Sequence, residues 1–429
     1  MPKKPNAIIF GGLNTFSRAL AAFLVPVQGD SLVSSTNSPF TPQQRIHFPN
    51  LLRIPSLTRL ISSYIGAEFP KILARPEVEY KQANLTVAAA VASSFDPPEG
   101  QDPYDYVFDF TGEVRHDRTE IIQINTTCKV ARMIGLEAAK RKIKAYVRVQ
   151  QPFYQTPSST KATHDESEDL TPVDTLGIWW HETLRMLAAI EDLNLVILRI
   201  GFAYGPYTNF GIVASGIMVG SVYGYLKKPM KSMWSPGNNP NNTIHVDDVA
   251  GAAWACAEWM APLGRASANA KAGEDVPFHN DKKKVKEVEE MPSHDLKLVA
   301  PLFNLVDESN STLLSTGQVV TSYFGTTFEF FSFVESTFLK LQDDNVEDIN
   351  EHHVSGWTEM ITKSKPPIPN TPLSAYMDKY ALSKHVVALN NRKIKDVVGY
   401  KLKRPQFNHE AVKELVDKWK DEGSWPILD

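Results

Sequence analysis

The chain has 429 residues, 42% of them hydrophobic and 22% charged, with 21 Phe, 14 Tyr and 8 Trp. This length holds one large domain or two to three ordinary ones, and the composition excludes a disordered or collagenous chain. A net charge of −4 leaves no positive field to hold nucleic acid, and two cysteines, Cys128 and Cys256, cannot build a disulfide framework or a cysteine zinc site, which predicts a reducing, cytoplasmic compartment.

The apolar run Ala7-Ile8-Ile9-Phe10 ends at Gly11-Gly12, and Phe16 to Val25 reads as an amphipathic helix opened by Asn14-Thr15. Strand, glycine turn and helix in that order open a dinucleotide-binding βαβ unit. The two glycines also cut the run too short for a signal peptide, and no window of 18 apolar residues follows, so no transmembrane helix is expected. Ser31 to Ser35 is the expected second strand, and 36–60, rich in Ser, Pro, Asn and Gln, reads as a long irregular connection. Val78-Glu79-Tyr80 with Asn84-Leu85, then Tyr106 to Phe110, predict the third and fourth strands. Helical spacing over Ile121 to Lys142, the strand Ala145 to Val149, a helix from Leu176 to Ala189 and the strand Leu195 to Leu198 continue the alternation. Such alternation predicts an α/β fold with a parallel sheet covered on both faces.

Past residue 200 the pattern loosens around a helix from Val246 to Met260. Residues 264–297, with DKKKVKEVEE at 281–290, read as a mobile charged insertion, followed by a strand from Leu302 to Val306. Thr326 to Leu341 holds FEFFSFVESTF and reads as a buried aromatic helix or lid, and His409 to Asp421 as the last helix.

Six segments together resemble the extended short-chain dehydrogenase/reductases, the NAD-dependent epimerase/dehydratase group. GGLNTFSRAL is similar to the family loop TGGxGFIGxxL, VEYKQANLT to a third strand ending in GDLT, and DYVFDFTGEV to the VxHLAA strand. Asn125 falls at the family's fourth-helix Asn, VILRIGFAYGP is close to VILRPxNVYGP, and NNTIHVDDVAGA to FIHVDDVAxA. The resemblance implies a doubly wound parallel Rossmann sheet over 1–260 binding NAD or NADP, with a smaller C-terminal substrate or lid lobe from 200–245 and 298–429.

The cofactor positions it implies are Gly11, Gly12, Asn14, Thr15, Phe16, Asn84, Thr111 and Gly112. Glycines bring the backbone close to a pyrophosphate, and a helix N-terminus offers it partial positive charge. Asn14 and Ser17 stand where the family has its other loop glycines, and Asn tolerates positive φ, so the turn is expected to survive. The second-strand acid that would select NAD is absent from SSTN, and Arg45 is the nearest basic residue for a 2′-phosphate.

The family's catalytic residues are missing. Its fifth strand ends in a hydroxyl residue and is followed by a Tyr-x-x-x-Lys helix in which Lys lowers the tyrosine pKa. Here the strand runs into Gln150-Gln151, and TLGIWWHETLRML holds neither Tyr nor Lys. Tyr380-Ala-Leu-Ser-Lys384 spells the motif about 200 residues too late. The remaining catalytic candidates are His181, whose side chain titrates near neutrality, Tyr154 and Gln151. Substrate candidates are Glu113, His116, Tyr204 and Arg199. His245-Val-Asp247-Asp248 reads as a helix start, and the adjacent His352 and His353 point apart, so no metal site is expected.

Three functions stay open: a nucleotide-binding protein without ordinary hydride transfer, an epimerase, dehydratase or reductase acting on a nucleotide sugar or carbonyl compound with relocated acid/base groups, and an assembly protein on a structural Rossmann core. Expected partners are a small-molecule substrate or nucleotide, with neither nucleic acid nor a transmembrane segment, and a homodimer is left open.

Overall fold

The computed structural model describes residues 5–25, 46–50, 68–157, 163–341 and 345–428. They divide into two compact units, one drawn from 1–200, 247–305 and 389–401, the other from 201–246, 306–388 and 402–429.

The first unit is built on an eight-stranded sheet. Its strands are β1 (Ala7–Phe10), β2 (Ile46–Asn50), β3 (Val78–Gln82), β4 (Tyr106–Asp109), β5 (Ala145–Gln150), β6 (Leu195–Ile200), β7 (Gly273–Asp275) and β8 (Val299–Leu305). The spatial order is β3-β2-β1-β4-β5-β6-β8-β7, parallel except for the antiparallel edge strand β7. The order 3-2-1-4-5-6 reverses between β1 and β4, the point where open α/β sheets hold ligands outside their strand ends. On one face Ile8, Phe10, Val107, Tyr146 and Ile197 bury against Val130, Ile134, Leu184 and Leu187 of the helices Val130–Lys140 and Asp174–Ala188. On the other, Trp254 of the helix Val246–Met260 stacks on Phe108 and meets Tyr106 edge-on.

Two expectations are corrected here. The second strand is β2, inside the segment read as an irregular connection, while Ser31 to Ser35, SSTN and Arg45 lie outside the described residues. The 264–297 segment, read as an insertion, folds onto the sheet through the helix Gly264–Ala272, the strand β7 and the helix Lys282–Glu287. Its apolar residues Ala268, Ala272, Val276 and Val285 are buried. The Arg265 guanidinium donates to the carbonyls of Ala188, Ile190 and Leu193, satisfying the end of the Asp174–Ala188 helix. The charged residues of 281–290 are exposed, which is why the composition of the segment hid its packing.

The second unit holds the helices Ile212–Leu226, Leu313–Tyr323, Asn345–Lys363 and His409–Asp421. Glycines let them close up, since a Cβ at Gly220 would fall 2.4 Å from Val320 and one at Gly356 2.5 Å from Val222. The aromatic stretch read as a buried helix or lid is instead the strand Phe328–Phe330 and the helix Phe333–Leu341, with Phe333 86% and Val334 77% exposed. No helix among the described residues is long and apolar enough to cross a membrane.

Candidate functional site

At the end of β1, Gly11 and Gly12 take φ values of 129° and 63°, and a Cβ on Gly11 would lie 3.0 Å from the Phe110 backbone. The chain thereby turns tightly into the helix Thr15–Leu24. Asn14 does not take the positive φ its position suggested: at φ −72° it caps the helix, accepting from the Ser17 N–H at 2.9 Å. Its amide nitrogen donates to the Phe110 carbonyl at 2.9 Å, tying the helix start to the end of β4. Phe16 is buried with its ring 6.0 Å from Phe110. Beyond β3, the Asn84 carboxamide oxygen accepts from the Thr86 hydroxyl at 2.7 Å.

Past β4 lies a buried polar network. Asp109 and Arg148, both 0% exposed, pair across β4 and β5 at 2.8 Å. Asp109 also accepts from the Tyr146 hydroxyl at 2.6 Å and from the Thr111 amide and hydroxyl at 2.9 and 2.7 Å. A carboxylate and guanidinium taken out of water need this set of partners to repay their desolvation. The Arg148 guanidinium lies under the Trp180 ring, 4.6 Å from its centroid. Trp180, from the helix Asp174–Ala188, is 1% exposed and donates its Nε1–H to the Glu113 carbonyl at 2.7 Å. Gly112, at φ 131°, accommodates the ring: a Cβ there would fall 2.6 Å from it.

The substrate candidates nearby are held in place. The Glu113 carboxylate accepts from the Val114 and Arg115 amides, and His116 Nδ1 meets Asp174 at 2.5 Å. Glu113 donates its own N–H to Thr127 on the π-helical turn Ile124–Lys129 that contains Asn125.

Further along the same sheet edge, Gln150, Arg199 and Asn304 share one register on β5, β6 and β8. Arg199 Nε donates to Asn304 Oδ1 at 2.7 Å, and the Asn304 N–H donates to Glu166 at 2.8 Å. Burial raises the Glu166 carboxyl, with the Asn304 amide opposing. A cavity of about 30 Å³, room for one or two waters, is lined there by Arg199, Glu166, Asp169, Asp275, Tyr154 and His181.

The catalytic candidates sit in this neighbourhood with their protons committed. Tyr154 donates its hydroxyl to the Ile200 carbonyl at 2.6 Å, and burial pushes the phenol well above its ordinary value. His181 Nε2 donates to the Pro277 carbonyl at 2.6 Å, and burial pulls its imidazolium down to about 4, reinforced by His279 and opposed by the Pro277 contact. Gln151 accepts through its backbone carbonyl from Gln150 Nε2 and from the Phe153 amide. Tyr204 belongs to the second unit, where its hydroxyl donates to Asp307 at 3.2 Å.

Tyr380 lies on the four-residue helix Lys379–Leu382 and Lys384 beyond its end, so this pair does not share a helix face. Asp247 and Asp248 open the helix Val246–Met260, where Asp248 accepts from the Tyr400 hydroxyl at 2.8 Å. His353 is buried, which lowers it to about 4, and no group of metal-binding side chains forms among the described residues. Asp109 and Arg148 were not singled out by sequence reasoning, and Trp180 drew notice only as the neighbour of His181 on its helix. The available signal was an acid and a base inside the apolar strands YVFDF and AYVRV.

No protein-family model matches the chain, and no curated protein matches it in sequence. Solved structures match in fold. The Bordetella bronchiseptica enzyme WbmG in complex with NAD aligns with a TM-score of 0.59 at 12% identity, over 99% of this chain and 96% of that one. UDP-glucose 4-epimerase from Thermotoga maritima with UDP-glucose gives 0.55 at 13%, covering 97% and 98%. UDP-glucuronic acid 4-epimerase from Bacillus cereus with UDP-glucuronic acid and NAD gives 0.57 at 10%, covering 97% and 99%. The chain shares the α/β fold of these structures, with the parallel sheet that its alternating strands and helices predicted.

Proposed function

We propose that this protein binds NAD(P) or a related nucleotide on an epimerase-type Rossmann scaffold and does not carry out the ordinary hydride transfer of that scaffold. The observation that carries the binding half is the turn at Gly11 and Gly12, whose positive φ values bring bare backbone and the start of the helix Thr15–Leu24 to the switch point of the sheet. That arrangement fits a pyrophosphate held by the 11–16 turn, whereas Thr111 is engaged by Asp109 and Gly112 is covered by Trp180. The cofactor would supply a hydride acceptor. Structures of the same fold are described with NAD and with UDP-sugars, which supports this ligand class.

The absence of transfer rests on the residues beside that turn. Gln150 ends β5 in place of a hydroxyl, and the following helix offers Trp179, Trp180 and Glu182 but no Tyr or Lys. Tyr154 and His181 do not replace them: the Tyr154 hydroxyl and the His181 Nε2–H are each held by a backbone carbonyl, and burial lowers the imidazolium to about 4, which makes the ring a weak base.

The test is the melting temperature of the purified protein with NAD⁺, NADH, NADP⁺ and NADPH. A ligand at a hundredfold excess over its Kd stabilises by about 2.7 kcal/mol. A rise with one pair, abolished in Gly12→Asp while that variant melts normally without ligand, is the expected result. No shift with any of the four would refute nucleotide binding.

A further inference from the structure

A dinucleotide on a doubly wound sheet spans the crevice, with one nucleotide over each half of the strands. In this chain the half belonging to β4 and β5 is closed by its own side chains. Trp180 lies against Gly112 with no room for a methyl group between them, and Phe153 meets the indole edge-on at 5.5 Å. Beneath the ring, Arg148 Nε and Nη2 are buried with no hydrogen-bond partner among the described residues, so the indole face stands where an anionic or carbonyl acceptor would pair with them. The β1 side presents glycine backbone instead.

We propose that the site takes one nucleoside diphosphate rather than a whole dinucleotide, and that Trp180 sets this limit by filling the second nucleotide position. The inference rests on the reading of the 11–16 turn as a nucleotide site. Trp180 then acts as a specificity residue: its Nε1 bond to Glu113 and its seat on Arg148 fix the ring in the space that the outer half of a dinucleotide needs.

Titration calorimetry of the full chain with ADP, ADP-ribose and NAD⁺ tests this. Dissociation constants within about threefold of one another are expected, because the parts of NAD⁺ beyond the diphosphate gain no contacts. NAD⁺ binding tenfold or more tightly than ADP would overturn the proposal while leaving the nucleotide site intact, and no binding by any of the three would overturn the site itself. In Trp180→Ala, NAD⁺ is expected to gain tenfold or more over ADP, and an unchanged ratio in the folded variant would remove the role of Trp180. Should that variant fail to fold, Trp180→Leu and the wild-type ratios carry the same decision.

Discussion

The two sides of the switch point, both at strand ends of one sheet, have gone different ways. Beside β1 the chain keeps what an anion asks of a backbone: two glycines at positive φ, a capped helix start and a short link from Asn14 to Phe110. Beside β5 it places a buried polar core, with Asp109 paired to Arg148 and Tyr146 and the Arg148 guanidinium under Trp180. Binding needs little beyond backbone geometry, whereas catalysis needs particular titrating side chains with access to substrate, which is the basis of the proposed separation of the two.

The largest expected effect of breaking this comparison is on the β5 side. Asp109→Ala leaves Arg148 charged and uncompensated at 0% exposure, and a loss of about 3–5 kcal/mol in denaturant unfolding is expected. The double variant Asp109→Leu with Arg148→Met should lose less than Asp109→Ala alone; a larger loss would show that the network, not the lone charge, dominates. Gly112→Ala comes next, combining positive φ with a Cβ 2.6 Å from Trp180, and should destabilise by about 1–3 kcal/mol.

On the β1 side Asn14→Ala removes a cap at a cost of about 1 kcal/mol, with nucleotide affinity falling as the helix start loosens. The smallest effect is a difference in pH slope. His181 is held down to about 4 against an ordinary 6.5, so between those values the unfolded chain binds the extra proton. Its contribution is complete above pH 6.5 and is lost as pH falls toward 4, so His181→Gln should flatten the wild-type stability curve in that window alone. Equal slopes would show that His181 is not buried neutral.

The fold was legible because its pieces are long and patterned. The run Ala7–Phe10, the helix Val246–Met260 and the helix His409–Asp421 stand where apolar spacing put them. β2 was not legible, since IHFPN carries a proline and an asparagine and gains its place from neighbours on both sides. The 264–297 segment was misread because helices of six and nine residues are too short to show a period. Of the site, the glycine turn and the missing Tyr and Lys could be read directly. The filling of the second half could not, because Asp109, Arg148 and Trp180 meet only in the folded sheet, and periodicity says nothing of partners 39 and 32 residues apart in the chain.

The central claim, binding without hydride transfer, is tested most directly by mixing the protein at a concentration above its measured Kd for NAD⁺ with UDP-glucose or UDP-glucuronic acid, following absorbance at 340 nm and the sugar products. The account predicts a bound nucleotide, no NADH signal and no epimerised sugar; a turnover that Gly12→Asp abolishes would contradict it.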